Sequence, residues 1–161
     1  MNIGIFEDSG YRNLLPLTWL RPAFDLRCGA ERLIEGQRRC ARGDRMAQLW
    51  LRRGLMPVYK SLVETPPPDA AGSLLLLNSR AMLTEAMPAL PLDHCYKIDG
   101  ALLAAHVPVE RLPLHDAEFF LNDAAVAQWT MSLTQRPAPE SATLLTRPWE
   151  LIKANGPALV R

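Results

Sequence analysis

The sequence lacks the features of a membrane or secreted protein. It contains no run of the ~20 apolar residues that a transmembrane helix needs. Its N-terminus has no basic segment followed by an apolar one, so it predicts no signal peptide. We therefore expect a cytoplasmic protein that has no membrane partner.

Cysteine and histidine are scarce. The cysteines are Cys28, Cys40 and Cys95, an odd number in which no pair has CxxC spacing. The three histidines do not complete a Cys/His set with zinc spacing. These counts favour reduced thiols over disulfides and argue against a structural metal site.

The net charge is close to zero, because the sequence contains 18 Lys and Arg residues and 17 Asp and Glu residues. That balance argues against a dedicated nucleic-acid-binding protein. The charge is unevenly distributed: residues 1–60 contain 11 basic and 6 acidic residues, and residues 61–161 contain 7 and 11. Most of the basic residues are arginines, whose planar guanidinium group suits phosphate oxygens. Phosphate chemistry is therefore expected in the first part of the chain.

Hydrophobic residues make up 48% of the sequence, which is sufficient for a buried core without a disulfide or metal. Apolar patterning predicts strands at 1–6 and 73–77, and the pair Asp99-Gly100 predicts a hairpin. Helices are predicted at 30–41, at 122–133, and from a Thr146 cap to a stop at Asn155-Gly156, and the composition of 65–72 predicts a loop. Strands mixed with helices in this way predict an α/β fold, with 1–161 as a single domain.

The segment richest in candidate binding and catalytic side chains is Ile3–Gly29, in which a predicted buried strand is followed by a polar loop. In open α/β sheets, ligands bind beyond the carboxyl ends of the strands. Arginines and loop amides can hold a phosphate chain, and a carboxylate beside it can bind Mg²⁺ together with the phosphates. The candidate residues in this segment are Glu7, Asp8, Gly10, Arg12, Thr18, Arg21 and Arg27.

Three blocks of the sequence resemble a known family. The first combines Ile5-Phe6-Glu7-Asp8 with Leu15-Pro16-Leu17-Thr18, Arg21-Pro22 and Leu26-Arg27-Cys28-Gly29; the second is the leucine-rich strand ending in Asn78-Ser79-Arg80; the third is Arg147–Ile152 with Asn155. Together they resemble the nucleotide-sugar-forming nucleotidyltransferases. Within that family they are similar to a divergent branch whose domain resembles the N-terminal half of the bifunctional N-acetylglucosamine-1-phosphate uridyltransferase.

The resemblance implies a Rossmann-like, three-layer α/β fold with a mixed, mostly parallel sheet. It implies transfer of a nucleoside monophosphate from a nucleoside triphosphate to a sugar 1-phosphate, with release of pyrophosphate and with Mg²⁺ as cofactor. Asn78–Arg80 would lie where the family places a metal-binding aspartate. The roles implied are catalytic for Arg12 and Arg21, metal-binding for Asp8, and substrate-binding for Glu7, Asp8, Gly10, Thr18, Arg27, Asn78 and Arg80.

The sequence also departs from the family pattern. The loop after the first strand holds one glycine, Ala23 replaces the family's lysine, and Asn78-Ser79-Arg80 contains no carboxylate. These departures leave a second hypothesis open, namely a non-catalytic nucleotide-binding or assembly module derived from the same fold. The chain is shorter than most catalytic domains of the family, which often continue into a left-handed β-helix, so both a fragment of such a protein and a stand-alone remnant stay open. Homo-oligomer formation is left open.

Overall fold

The chain is built around a sheet, with helices packed on it. A computed structural model describes residues 2–42, 45–64 and 72–159, so the predicted loop 65–72 lies outside the described residues except for Gly72. The strands are β1 (Asn2–Phe6), β2 (Arg27–Cys28), β3 (Glu31–Arg32), β4 (Arg45–Trp50), β5 (Ser73–Asn78), β6 (Ala81–Leu83), β7 (His94–Ile98), β8 (Ala101–Pro108), β9 (Thr134–Pro137) and β10 (Ala142–Leu144). The α-helices are α1 (Leu33–Cys40), α2 (Met56–Tyr59), α3 (Asp123–Thr130) and α4 (Pro148–Leu159), and a 3₁₀ helix, Ser9–Leu14, follows β1.

The central sheet of the described residues has the strand order β4-β1-β5-β8-β7-β9. β1 lies parallel to β4 and to β5, and β9 lies parallel to β7. β8 runs antiparallel to both of its neighbours. As a result, β1, β5 and β7 end at the same edge of the sheet.

The two faces of the sheet are both covered by apolar side chains. Along β5, Leu75 and Leu77 pack into one core cluster with α1, and Leu74 and Leu76 pack into a second cluster with Phe120 and the half-buried side of α3. This arrangement explains the uninterrupted leucine run, since a strand covered on both faces has no solvent-facing positions. The predicted three-layer, Rossmann-like α/β fold with a mixed, mostly parallel sheet is confirmed.

The predicted hairpin at Asp99-Gly100 is confirmed. It joins β7 to β8, with Ile98 paired to Ala101. Both turn residues have positive φ angles, 49° at Asp99 and 81° at Gly100. This is the left-handed conformation that a two-residue turn between twisted antiparallel strands requires.

The predicted stop of the last helix is wrong. α4 continues through Gly156 and Pro157 to Leu159. Asn155 does not end the helix; its side-chain oxygen accepts a hydrogen bond of 2.6 Å from the backbone N–H of Gly29. Tertiary contacts of α4 with the cluster around Leu14 therefore override the local stop signal. Among the described helices, none is both long enough and apolar enough to span a bilayer.

Candidate active site

A cavity of about 270 Å³ lies beyond the carboxyl ends of β1, β5 and β7. We call it the strand-end cavity. The loop after β1 forms one side, the β7–β8 hairpin forms another, and α3 and Phe120 close it from the face of the sheet. Its lining residues are Phe6, Asp8, Ser9, Gly10, Arg80, Lys97, Gly100, Ala101, Leu102, Phe120, Asp123, Val126, Ala127 and Thr130.

A buried ion pair between Asp8 and Arg80 lies on the wall of the strand-end cavity. Arg80 Nε donates to Asp8 Oδ1 at 2.7 Å, and Arg80 Nη2 donates to Asp8 Oδ2 at 2.6 Å. Asn78 Nδ2 also donates to Asp8 Oδ2, at 2.8 Å. Asp8 is 9% exposed and Arg80 is 4% exposed, so the pair is shielded from water. The two parallel hydrogen bonds fix the orientation of both groups.

The backbone around Arg80 holds this side chain in place. The amide of Ser79 donates to the carbonyl of Phe6, which ties the turn after β5 to the end of β1. The Arg80 amide donates to Asn78 Oδ1 at 2.9 Å, and Arg80 Nη1 donates to the carbonyl of Leu145 at 2.5 Å. A Cβ built on Gly10 would overlap the Arg80 guanidinium, so the glycine leaves the space that this group fills.

A second cation, Lys97, also lines the strand-end cavity. Lys97, at the end of β7, donates from Nζ to Thr130 Oγ1 at 2.9 Å. Ser9 and Asp123 also line the cavity, and Ser9 Oγ donates to the Asp123 carboxylate, with distances of 2.7 and 2.8 Å to its two oxygens. This contact joins the loop after β1 to the first turn of α3. The lining of the cavity therefore contains two cationic side chains, Arg80 and Lys97, and two carboxylates, Asp8 and Asp123.

A second buried carboxylate, Glu7, lies next to Asp8. Arg52 Nε donates to Glu7 Oε2 at 2.9 Å, and the Arg52 guanidinium stacks 4.1 Å from the centre of the Tyr11 ring. Arg52 Nη2 also donates to the carbonyl of Thr18 at 2.6 Å, and Thr18 Oγ1 donates to the carbonyl of Tyr11 at 2.7 Å. Glu7 and Arg52 thus hold the loop after β1 in a fixed shape.

Burial raises the pKa of the Glu7 carboxyl above its usual value of 4.5, and the hydrogen bond and charge of Arg52 offset only part of this effect. The residue is 1% exposed. Its second oxygen, Oε1, has no hydrogen-bond partner among the described residues. The folded chain therefore binds a proton at Glu7 more readily than the unfolded chain does.

This raised pKa predicts a pH-dependent contribution to stability. A carboxyl whose pKa is higher in the folded state stabilises the fold fully below its unfolded value, and that contribution is lost as the pH rises through the folded value. Glu7→Gln removes the ionisation, so the free energy of unfolding of this variant relative to the wild type should increase as the pH rises above 4.5. Urea unfolding of both proteins from about pH 4 to about pH 8 measures the difference.

A matched control for this experiment is Glu35→Gln. The pKa of Glu35 is lowered, first by the backbone hydrogen bond from Arg32, so its stabilising contribution is present above 4.5 and is lost as the pH falls through the lowered value. The two glutamates should therefore act in different pH windows. A difference between Glu7→Gln and the wild type that stays constant with pH would contradict the assignment.

The structure brings six of the sequence-predicted site residues together and separates three others from them. Beyond the ends of β1 and β5, Asp8, Gly10, Asn78 and Arg80 are in contact through the ion pair, with Glu7 and Thr18 next to them. The other three, Arg12, Arg21 and Arg27, are exposed, and the strand-end cavity is lined by Arg80 and Lys97 instead. The roles assigned to these nine residues stay predictions.

Sequence reasoning missed Arg52 and Lys97. Arg52 lies in a stretch rich in arginine, which gave no reason to select one of them. Lys97 offered a usable signal: it is one of few lysines, and it precedes the Asp99-Gly100 turn at the end of a predicted strand. A strand-end cation at that edge of the sheet is where a phosphorylated ligand would be expected.

A cavity lined with cationic groups beyond the carboxyl ends of parallel strands is typical of α/β proteins that bind phosphorylated ligands. A family model described as sugar nucleotidyl transferase matches residues 3–161. The chain therefore belongs to the sugar nucleotidyl transferase family.

A solved structure from Bacillus anthracis, described as a glucose-1-phosphate thymidylyltransferase in complex with a sucrose, is similar to this chain. The two are 12% identical with a TM-score of 0.48, and the match covers 99% of this chain and 96% of that one. A comparison with curated proteins gives no match.

Sugar nucleotidyltransferases generally use a divalent metal such as Mg²⁺. The residues around Asp8 do not fit such an ion, because both carboxylate oxygens already accept hydrogen bonds from the guanidinium of Arg80. Among residues 2–42, 45–64 and 72–159, no group of three or more His, Cys, Asp or Glu side chains is placed to hold a metal. The prediction of a metal at Asp8 thus finds no support in the geometry.

Proposed function

We propose that this chain binds a nucleoside triphosphate and a sugar 1-phosphate in the strand-end cavity and joins them. An oxygen of the sugar phosphate attacks the α-phosphorus, the bond to the β-phosphate breaks, and pyrophosphate leaves with the bonding electrons. The observation that carries the proposal is the cavity itself, lined by Arg80 and Lys97, in a chain of this family. Fixed cations facing the phosphates stabilise the charge that develops on the leaving group.

The residues around the cavity would have distinct tasks in this reaction. Arg80 and Lys97, which both line the cavity, would hold the phosphate chain. Arg12 and Arg21, on the exposed loop after β1, would contact the triphosphate from outside the cavity, as the family resemblance implies. Four other predicted residues, Glu7, Gly10, Thr18 and Asn78, would shape the loop and the strand end that bind substrate. Arg27 lies on β2, and its predicted substrate contact, which the family resemblance implies, would come from outside the cavity.

A second candidate function is nucleotide binding without transfer. It is favoured by the closed Asp8–Arg80 pair, in which the Asp8 carboxylate that lines the cavity already has a counter-ion. It is also favoured by the absence of a carboxylate from Asn78-Ser79-Arg80 and by Ala23 in place of the family's lysine. In this case the strand-end cavity would bind the phosphates, and no pyrophosphate would form.

Pyrophosphate release separates the two candidates. The assay combines a panel of nucleoside triphosphates and sugar 1-phosphates, including UTP with N-acetylglucosamine 1-phosphate and dTTP with glucose 1-phosphate. We expect release with at least one pair, and we expect Lys97→Met to lower it about tenfold or more, since a charge-assisted hydrogen bond contributes about 1.5–3 kcal/mol. Lys60→Met, an exposed lysine on another part of the surface, is the control and should have no effect.

The other outcomes of this assay are equally informative. No release, with a rise in the melting temperature on adding millimolar nucleotide, supports the binding module, because a ligand at 100 times its Kd stabilises the fold by about 2.7 kcal/mol. If the assay shows no pyrophosphate release and the nucleotide gives no thermal shift, both candidate functions are contradicted. Activity that survives Arg12→Ala would remove the predicted catalytic role of Arg12.

A further inference from the structure

The cation that pairs with Asp8 is a side chain of the protein itself, Arg80. All three nitrogens of the Arg80 guanidinium donate hydrogen bonds: Nε and Nη2 to Asp8, and Nη1 to the carbonyl of Leu145. Gly10 leaves room for the guanidinium, and any larger residue there would overlap it. Arg80 is therefore built into the wall of the strand-end cavity rather than resting on it.

A divalent ion at this position would compete with Arg80 for the same carboxylate oxygens. Mg²⁺ requires oxygen ligands at about 2.0–2.1 Å in octahedral geometry. Asp8 Oδ1 accepts from Arg80 Nε, and Asp8 Oδ2 accepts from both Arg80 Nη2 and Asn78 Nδ2. Metal binding would have to displace a guanidinium that is 4% exposed and would leave it without its counter-ion.

Arg80 keeps the capacity to bind an anion while it is paired. A guanidinium has five N–H donors, and the contacts with Asp8 and Leu145 use three of them. The side chain also lines the strand-end cavity, as Lys97 does. The two remaining donors suit phosphate oxygens, which arginine binds with planar, charge-assisted hydrogen bonds.

We propose that Arg80 takes the place of a divalent cation in this chain, so that a triphosphate binds in the strand-end cavity independently of Mg²⁺. The inference rests on the nucleotide binding that both candidate functions share. The inference depends on the contact between Arg80 and Asp8. In a site that used a metal, the carboxylate oxygens would be free to bind the ion.

Calorimetric titration with inorganic tripolyphosphate and with the nucleoside triphosphates, in EDTA and in MgCl₂, tests the inference. We expect Kd in EDTA to be equal to that in MgCl₂ within about threefold, or tighter, because free triphosphate carries more negative charge than its magnesium complex. Binding that requires MgCl₂ would overturn the inference and leave the proposed function standing. No binding under either condition would overturn both.

Two variants of Arg80 sharpen the test. Arg80→Met removes the cation and uncovers Asp8, so binding in EDTA should weaken about tenfold or more, and MgCl₂ should restore part of it. Arg80→Lys keeps the charge and should bind in EDTA more tightly than Arg80→Met does. Equal binding by all three proteins in EDTA would overturn the role of Arg80. Far-UV circular dichroism checks that the variants fold; if they do not, the wild-type comparison in EDTA and MgCl₂ decides alone.

Discussion

Asp8→Ala is expected to lower the free energy of unfolding by about 3–5 kcal/mol, because it leaves the guanidinium of Arg80 buried without a counter-ion. The side chains of Asp8 and Arg80 are 12% and 5% exposed, so both charges are largely removed from bulk water. Arg80 would keep only its hydrogen bond to Leu145 and the backbone contact with Asn78. Urea unfolding at neutral pH, followed by circular dichroism, measures the change in the midpoint.

Two controls show whether the loss comes from the buried pair. In the double variant Asp8→Ala, Arg80→Met, no charge is left unpaired, so its cost should be clearly smaller than the sum of the single costs. Glu31→Ala breaks the exposed pair with Arg39, which joins the same types of group at 2.6 Å, and should cost about 0–1 kcal/mol. A cost for Asp8→Ala no larger than that for Glu31→Ala would show that the pair contributes little.

The sheet could be predicted where its strands are buried or joined by a turn of defined chemistry. The leucine run of β5 has no polar face, and a strand covered on both sides of a sheet produces that pattern. Asp99-Gly100 adopts the left-handed conformations that its residue types favour. In both cases the local sequence and the tertiary structure favour the same conformation, so the prediction succeeded.

Other elements depend on contacts that the local sequence does not contain. All four residues of β9 are exposed, and its pairing with β7 is the only feature that makes it a strand among the described residues. β6 and β10 are three residues each and exist through their mutual hydrogen bonds. The extension of α4 past Pro157 depends on its docking near Gly29, 126 positions from Asn155 in the sequence.

The sequence was sufficient to select many of the residues of the candidate site, but it did not predict which of them are in contact. Asp8 is a candidate because it follows a buried strand, and Arg80 is one because of the family resemblance of Asn78–Arg80, but 72 positions separate the two in the sequence. Their pairing follows from the parallel alignment of β1 with β5, which places Phe6 opposite Asn78. Sequence reasoning therefore assigned Asp8 to a metal, whereas the register of the two strands gives it Arg80.

The aromatic cluster behind the strand-end cavity should be as important for stability as the ion pair. Phe120 is 1% exposed and contacts four rings, with centroid distances of 4.5 Å to Phe6, 5.3 Å to Phe119, 5.4 Å to Trp50 and 5.8 Å to Trp129. Phe120→Ala should therefore lower the free energy of unfolding by about 3–5 kcal/mol, since it removes a large buried ring and leaves a void among side chains that cannot all move to fill it. Chemical denaturation of the variant and the wild type measures the loss.

The neighbouring residue, Phe119, gives a matched control. It has the same side chain and lies in the same short 3₁₀ helix, Phe119–Leu121, but is only half-buried. Phe119→Ala should cost less, and equal costs would contradict the central position of Phe120. Phe120 also lines the strand-end cavity, so Phe120→Ala should enlarge it. If the cavity binds phosphates through Arg80 and Lys97, the folded fraction of Phe120→Ala should still bind tripolyphosphate, because the enlarged wall is apolar and carries none of the charge that attracts the ligand.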